Sequence, residues 1–577
     1  MPMNSKMETI LSFLKSKLSI KEFDRNQFII FLLLLALLCV FILYPILRVL
    51  YVAFTQGNSP TLAHFLNFFE RTLFRESLWN SLFAGLMAVI FGSLISLPLA
   101  FFTVKYDFKG KVLIRTLGIL PLVMPPVVGA IAMQLVLGRS GVVNLLLLRW
   151  FKTTIPFMEG LTGVIIVQTL HYFPFILLNA SASLANVDPS LEEMAQNMGA
   201  HGLRLFRKIT LPLMMPGYIA GALLVFIKTV DDLGTPLMLN YTNMLAPQAY
   251  LRITNIGVED KAGYVIAVIL VMLSLISLWI AMKYLSLSEY ATIQRATTGA
   301  SIAKRITGWK LAIVLGFCIS ILTSSLIPHI VIVLLSFAKF WSFTLLPTQW
   351  TLAHYAEIFL QTPHFVKNTL IYCLLAAGID VVLGALIAFL LIRGRIIGKA
   401  LLDAIATLPL AIPGVTLAIG YLRVFHSHAI PLLGVPLTST WFILVIAYSV
   451  RRLPYTLRSC YAAMQQIHES LEEAAMNLGA NRRRTFFKIT FPLMTGGLVA
   501  GGVISFITSA VELSSTMMLV PRNEYGPLSY GIYVYMQSAV GRGPGACLGV
   551  VAIVVVAIGT YLVNKVFSDK SGSAFKM

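Results

Sequence analysis

The sequence predicts an all-α polytopic membrane protein with about twelve transmembrane helices, arranged as two parallel six-helix repeats. Three observations carry that prediction. Of 577 residues, 58% are hydrophobic and only 12% charged, with a mean hydropathy of +0.83, whereas a soluble domain carries roughly 25% charged residues. Apolar runs of about 20 residues, the length a helix needs to cross the hydrocarbon layer, recur along the chain. A mostly polar segment is also written twice: SLEEMAQNMGAHGLRLFRKITLPL from Ser190 and SLEEAAMNLGANRRRTFFKITFPL from Ser470 are identical at fifteen of twenty-four positions.

The elements follow in order. The first apolar run, 28–53, comes after a Lys-rich polar segment, 1–27, and is long enough to span, so it is expected to remain as an anchor and not be cleaved as a signal peptide. Further runs of the first half lie at 79–104, 113–137, 161–184, 213–235 and 263–286. The polar stretch SLSEYATIQRATTGASIAKR, 286–305, is the joint. Runs at 309–337, 366–392, 400–424, 439–463, 493–518 and 545–565 complete the second half.

Repetition extends beyond the polar segment. WNSLFAGLMAVIFGSLISLPLAFF from Trp79 returns loosely as KNTLIYCLLAAGIDVVLGALIAFL from Lys367, and LPLVMPPV from Leu120 returns as LPLAIPGV from Leu408, at an offset of 288. Past an eight-residue contraction the offset is 280, pairing Pro174 with Pro454, Glu193 with Glu473 and Asp232 with Glu512. An even number of crossings per unit makes the repeats parallel about an axis along the membrane normal. The divisions are an N-terminal segment 1–27, a first repeat 28–290, a linker 291–308 and a second repeat 309–577.

The net charge of +20 takes its meaning from its distribution. With the N-terminus inside, one set of loops holds Lys6, Lys15, Lys17, Lys21 and Arg25, then Lys105, Lys109, Lys111 and Arg115, then Arg393, Arg395 and Lys399, together with both repeated segments. The opposite loops are poorer in Lys and Arg. Both termini and both repeated segments are therefore expected in the cytoplasm, and the basic excess reads as bilayer topology and not as a nucleic-acid site.

In each repeated segment, Ser190 with Glu193 and Ser470 with Glu473 have the spacing of a capping box, which predicts a helix beginning there. Gly199 and Gly479 can supply the left-handed residue that ends it. Leu191, Met194, Ala195 and Met198 share one helical face, as do Leu471, Ala474, Ala475 and Leu478. Such a helix is too short to span. It is either an interfacial helix on anionic lipid or a docking surface, and two matched copies would suit a two-fold symmetric partner.

ATP chemistry needs a phosphate cradle with Lys followed by Ser or Thr. The nearest text, GRIIGKA from Gly394, has the wrong spacing and no hydroxyl after Lys399. No catalytic residue is assigned, and no cofactor is expected in this chain. Cys39, Cys318, Cys373, Cys460 and Cys547 show no close spacing, so neither disulfides nor a metal site is expected.

Charges inside spans are costly and mark candidate pathways. Lys228, Asp231 and Asp232 lie late in the fifth run, and Glu512 matches Asp232. The first three can also satisfy one another as i,i+3 and i,i+4 ion pairs. Arg451 and Arg452 stand where the first half has His171 and Tyr172. They read either as an anion-attracting wall or as arginines bound to carbonyls near Pro454. The acidic residues suit a cation and the basic ones an anion.

Glu193, Met194, Ala195, Gly199, Ile209, Thr210, Leu211 and Pro212 resemble the EAA loop of ABC-importer permeases, and Glu473, Ala474, Ala475, Gly479, Ile489 and Pro492 match it at the same spacing. The first copy departs only at Met194. This resemblance implies the type I ABC-importer fold, with Glu193, Ala195, Gly199, Glu473, Ala474, Ala475 and Gly479 docking onto a homodimeric ABC ATPase that binds ATP and magnesium. It also implies an extracytoplasmic solute-binding protein and a place in the bacterial cytoplasmic (inner) membrane. The fused layout, with DDLGTPLML from Asp231 and VELSSTMML from Val511, is most similar to ferric-iron importer permeases, with 2-aminoethylphosphonate permeases as close relatives. The expected function is ATP-driven uptake of ferric iron; the alternatives are import of 2-aminoethylphosphonate or another small anion. An ion-coupled secondary transporter can share two parallel six-helix halves, yet has no use for two matched docking helices.

Overall fold

Long apolar runs bounded by polar loops fold as helices because a spanning segment must satisfy every backbone polar group within itself. The computed structural model describes residues 25–57, 59–288, 304–394, 396–426, 434–538 and 540–570. The expected N-terminal segment and linker fall almost wholly outside the described residues.

In the first half, α1 (Arg25–Leu38) runs through a π-turn into α2 (Tyr44–Phe54), followed by α3 (Thr72–Lys105), α4 (Lys111–Ile119), α5 (Pro126–Leu137), α6 (Gly160–Ala185), the short α7 (Pro189–Asn197), α8 (Leu211–Asp231) and α9 (Lys261–Ser288). The second half repeats the order with α10 (Gly308–Phe337), α11 (His364–Ile392), α12 (Lys399–Thr407), α13 (Gly414–Phe425), α14 (Phe442–Gln465), the short α15 (Glu469–Asn477), α16 (Phe491–Ala510) and α17 (Arg542–Lys570). Strand pairing among the described residues is limited to two-residue pieces, such as Tyr106–Asp107 beside Lys304–Arg305.

Among the described residues, ten helices are long and apolar enough to cross a membrane, or eleven if a bent pair is counted as one span. The first half carries all six expected spans, its third counted as Pro126–Phe151, and the two runs outside the ten both lie in the second half, at 400–424 and 439–463. The runs 113–137 and 400–424 are not continuous helices, because both break at the LPLxxP text. α4 and α12 each pass into one 3-10 turn, after which Pro125 and Pro413 take extended backbone before α5 and α13 begin. In the second half the helix axis bends by 111° between the two arms. A proline cannot donate to the helical ladder and pushes its predecessor out of the helical region, so two of them stop the helix. The run 439–463 does fold as one helix, α14, but Arg451, Arg452 and Arg458 keep it out of the apolar set.

Each half is built on a trio. α3, α6 and α8 pack on one another, and α11, α14 and α16 do the same. The halves also exchange elements: α2 packs on α13 of the second half, and α10 packs on α5 of the first. Each broken third span is thereby held by the first span of the other half.

Close packing within the trios depends on glycine pairs four residues apart. A Cβ on Gly221 would lie 2.8 Å from the Cα of Ile176, and one on Gly501 would lie 3.0 Å from the Cα of Thr456. Gly217 and Gly497 lie one turn earlier on the same faces and are equally crowded. Small residues at this spacing let spans approach backbone to backbone. Gly501→Leu is therefore expected to lower stability by about 1–3 kcal/mol or more, since backbone cannot retreat as a side chain can. Gly316→Leu is the control, because nothing lies within 4 Å of its Cβ position. Thermal unfolding of the two variants in detergent checks the contrast.

Candidate functional site

Two features collect the residues singled out by the sequence: a matched pair of short helices at one end of the bundle, and an ionic cluster buried between the halves.

The short helices begin one residue before the expected serines. α7 is capped by Asp188, whose Oδ1 accepts the Ser190 N–H at 2.9 Å, with Pro189 in the first turn. α15 follows His468, which offers no side-chain cap. The expected capping boxes are thus not formed. Asp188 followed by Pro189 is the stronger start signal, since aspartate accepts directly and proline is preorganised for the first turn. Both ends fall where expected. Gly199 and Gly479 have φ of +85° and +87°, and the N–H groups of Ala200 and Ala480 reach back to the carbonyls of Ala195 and Ala475 at 2.9 and 3.0 Å. That is the Schellman ending, for which glycine is suited because it has no Cβ.

Glu193 and Glu473 are exposed. So is the apolar stripe beside them: Met198 is 89% exposed and Leu478 90%, with Met194 and Leu471 about half exposed. The neighbouring glutamates, Glu192 and Glu472, turn inward. Glu192 meets Lys105 Nζ at 2.8 Å and accepts from Thr210 Oγ1 at 2.8 Å. Glu472 meets Arg393 Nε at 3.3 Å and accepts from Thr490 Oγ1 at 3.0 Å. Sequence reading missed both glutamates, although the double acidic letter in each copy was visible.

The second feature lies at the ends of α8 and α16. Arg451 donates from Nη1 to Glu512 and from Nη2 to Asp231 at 3.3 Å. Arg452 donates from Nη2 to Glu512 and to the Thr508 carbonyl at 2.8 Å. Gly414 N–H, at the break before α13, reaches Asp231 Oδ1 at 3.1 Å. Arg451 therefore bridges a carboxylate of its own half and one of the other. A Cβ at position 414 would overlap its guanidinium.

Asp231, Asp232, Arg451, Arg452 and Glu512 are all buried, at 6–9% exposure. Asp232 stands apart from the arginines. Its Oδ1 accepts from Gly234 N–H at 3.0 Å and its Oδ2 from Gln168 Nε2 at 3.1 Å. The i,i+3 and i,i+4 pairs expected from Lys228 are not formed: Lys228 is half-buried and pairs with neither aspartate. The helix ends at Asp231 and Asp232 is extended, which takes it off the face of Lys228. Two carboxylates, Asp231 and Glu512, thus meet two guanidinium groups, with Lys228 one turn away. Of the four bonds from Arg451 and Arg452, one goes to a carbonyl and three to carboxylates. Both guanidinium groups are thus engaged by carboxylates of the chain itself. No cluster of three or more His, Cys, Asp or Glu is arranged to hold a metal among the described residues.

Comparison with known proteins adds to this geometry. The family model of the binding-protein-dependent transport system inner membrane component matches the chain twice, over residues 88–287 and 380–570. The chain is 28% identical to a putative ferric transport system permease protein, FbpB 1, of Haemophilus influenzae over 517 residues, covering 88% of this chain and 80% of that protein. It is 27% identical to the ferric transport system permease protein FbpB of Actinobacillus pleuropneumoniae over 526 residues, covering 89% and 74%. The molybdenum transport system permease protein ModB of Haemophilus influenzae is 32% identical over 203 residues, which are 34% of this chain but 87% of that shorter protein.

Proposed function

The chain belongs to the family of binding-protein-dependent transport system inner membrane components, and from that premise we propose that it is the permease of an ATP-driven importer of ferric iron. The single observation that carries the mechanism is the pair of α7 and α15, each ended by a left-handed glycine and each presenting an uncovered apolar stripe at the same end of the bundle. A homodimeric ABC ATPase, binding ATP and magnesium in its own chain, docks on Glu193, Ala195, Gly199, Glu473, Ala474, Ala475 and Gly479. This end and both termini face the cytoplasm, and a solute-binding protein delivers iron to the opposite face. The ferric assignment rests on two relatives that each align over most of the chain, both of them ferric transport system permease proteins by name.

In this reading the ionic cluster is an inter-half contact that must exchange partners as the halves move, because Arg451 holds Asp231 across the interface. The test is affinity purification of the intact chain from its own membranes, followed by uptake in proteoliposomes. Retention of an ATPase and a binding protein, with ATP-dependent uptake of ferric iron in preference to 2-aminoethylphosphonate, is the expected result. Uptake of the phosphonate alone would overturn the substrate, and purification without an ATPase would overturn the machinery.

A further inference from the structure

The docking helices are joined to the spans by a three-residue contact that occurs twice. In the first half Glu192 lies between Lys105, the last residue of α3, and Thr210, immediately before α8, at 2.8 Å from each. In the second half Glu472 lies between Arg393, just past the end of α11, and Thr490, immediately before α16, at 3.3 and 3.0 Å. Arg393 also donates to the Ile467 carbonyl at 2.6 Å, at the end of the α14 segment. Side-chain exposure of these four charged groups is only 12–15%. The geometry is an internal replicate: Lys105 and Arg393 are 288 apart, and the other two pairs 280 apart, as the repeat requires. Lysine has become arginine between the copies, which keeps the charge while changing the shape.

Each glutamate uses its oxygens to hold two different spans at once. The carboxylate is fixed to the docking helix, so displacing that helix pulls the end of the second span and the start of the fifth together. Adjacent residues divide the labour, since Glu193 and Glu473 point outward toward solvent. A π-turn stands between each docking segment and its span, at Phe206–Thr210 and Phe486–Thr490, and ends on the bonded threonine. Pro212 and Pro492 follow and supply no N–H to close a tighter turn. The joint is therefore wide at its backbone and tied by its side chains.

We infer that Lys105–Glu192–Thr210 and Arg393–Glu472–Thr490 are paired struts, positioning groups through which the docking helices move the second and fifth spans. This rests on the docking reading above, and the experiment separates the two. Lys109 and Ile397, equivalent exposed positions just beyond the second spans, carry spin labels as Lys109→Cys and Ile397→Cys in the complete permease–ATPase complex. With the struts intact, ATP and vanadate shift the distance between the labels. Glu192→Gln with Glu472→Gln is expected to abolish the shift while the ATPase still co-purifies. Solute moved per ATP hydrolysed should fall about tenfold, the scale of a typical coupling energy between sites. Lys105→Arg and Arg393→Lys, each borrowing the residue of the other copy, should keep the shift, and Lys105→Met with Arg393→Met should lose it. A shift that persists in the double glutamine variant overturns the struts, as does its equal loss in the Arg/Lys exchanges. Loss of the ATPase from the double glutamine variant also overturns them, by making these glutamates part of docking itself. Absence of an ATPase on the unmodified chain is a different failure, that of the docking reading.

Discussion

Met198→Lys combined with Leu478→Lys is expected to release the ATPase and stop uptake, while the chain still inserts into the membrane at normal abundance. These are the most exposed apolar side chains of the two docking helices, at 89% and 90%. Burying a side chain of this kind against a partner contributes about 1.5–3 kcal/mol. Losing two, and placing an ammonium group in each apolar seat, weakens association by about 3–6 kcal/mol, on the order of 10²–10⁴-fold. Neither residue supports the fold, so thermal unfolding of the isolated permease should not change. Lysine also separates the two readings of the helices. On an anionic lipid surface an added lysine strengthens contact by about 1 kcal/mol, so a lipid-bound helix would tolerate these changes. Unchanged co-purification and uptake would return α7 and α15 to the membrane surface.

How much of this was legible in the sequence depends on the range of the interaction concerned. Composition and apolar runs give the membrane fold because burial in lipid is a property of whole segments, and the duplicated text gives the two halves directly. The ends of the docking helices were also legible, since Gly199 and Gly479 act through their own backbone. Their starts were misread because Ser190 and Glu193 have capping-box spacing while Asp188 and Pro189 form the actual start. The breaks at Pro125 and Pro413 were present in the repeated LPLxxP text, where hydropathy alone hid them under continuous apolarity. For Lys228 the sequence offers neighbouring aspartates as one alternative to a place in the pathway, because local spacing shows only contacts along one helix. The contact that forms, Asp231 with Arg451, joins the two halves.

A different comparison would have found it. The repeats differ at three aligned places that all enter this contact: Asp231 faces Val511, Gly414 faces Pro126, and Arg451 faces His171. Proline at 126 has no N–H to offer a carboxylate, and valine at 511 has no carboxylate to receive one. One member of each pair supplies a component of the inter-half contact, and its counterpart lacks it. Departures from internal symmetry thus mark where the halves have acquired a shared site.

Glu512→Gln is expected to be far more damaging than Asp232→Asn, although the two positions are equivalent in the repeat. Glu512 is the shared acceptor of Arg451 and Arg452, and its Oε1 also accepts from Ser515 N–H at 3.3 Å. Removing its charge leaves Arg452 with the Thr508 carbonyl and an Nε that is buried without a partner among the described residues. Breaking a buried pair from one side costs about 3–5 kcal/mol. Asp232 is bonded to neutral donors only, Gln168, Gly234 and Thr235; an asparagine oxygen can keep Gly234 and Thr235, and the Gln168 amide can turn so that its otherwise unpartnered oxygen accepts from the new NH2 group. The cost there should be about 1 kcal/mol. Asp231→Asn and Arg451→Gln each remove one charge of the inter-half pair, leaving Arg451 with Glu512 or Asp231 with Gly414 N–H, whereas the double variant removes both charges together. Its loss of stability is therefore expected to be smaller than the sum of the two single losses, by about 0.5–3 kcal/mol as interacting neighbours show. Thermal unfolding in detergent and ferric iron uptake, measured on all five variants, test the cluster in two ways. Equal losses for Glu512→Gln and Asp232→Asn would contradict the shared-acceptor geometry. Additive losses for Asp231 and Arg451 would mean that these residues do not hold the halves together.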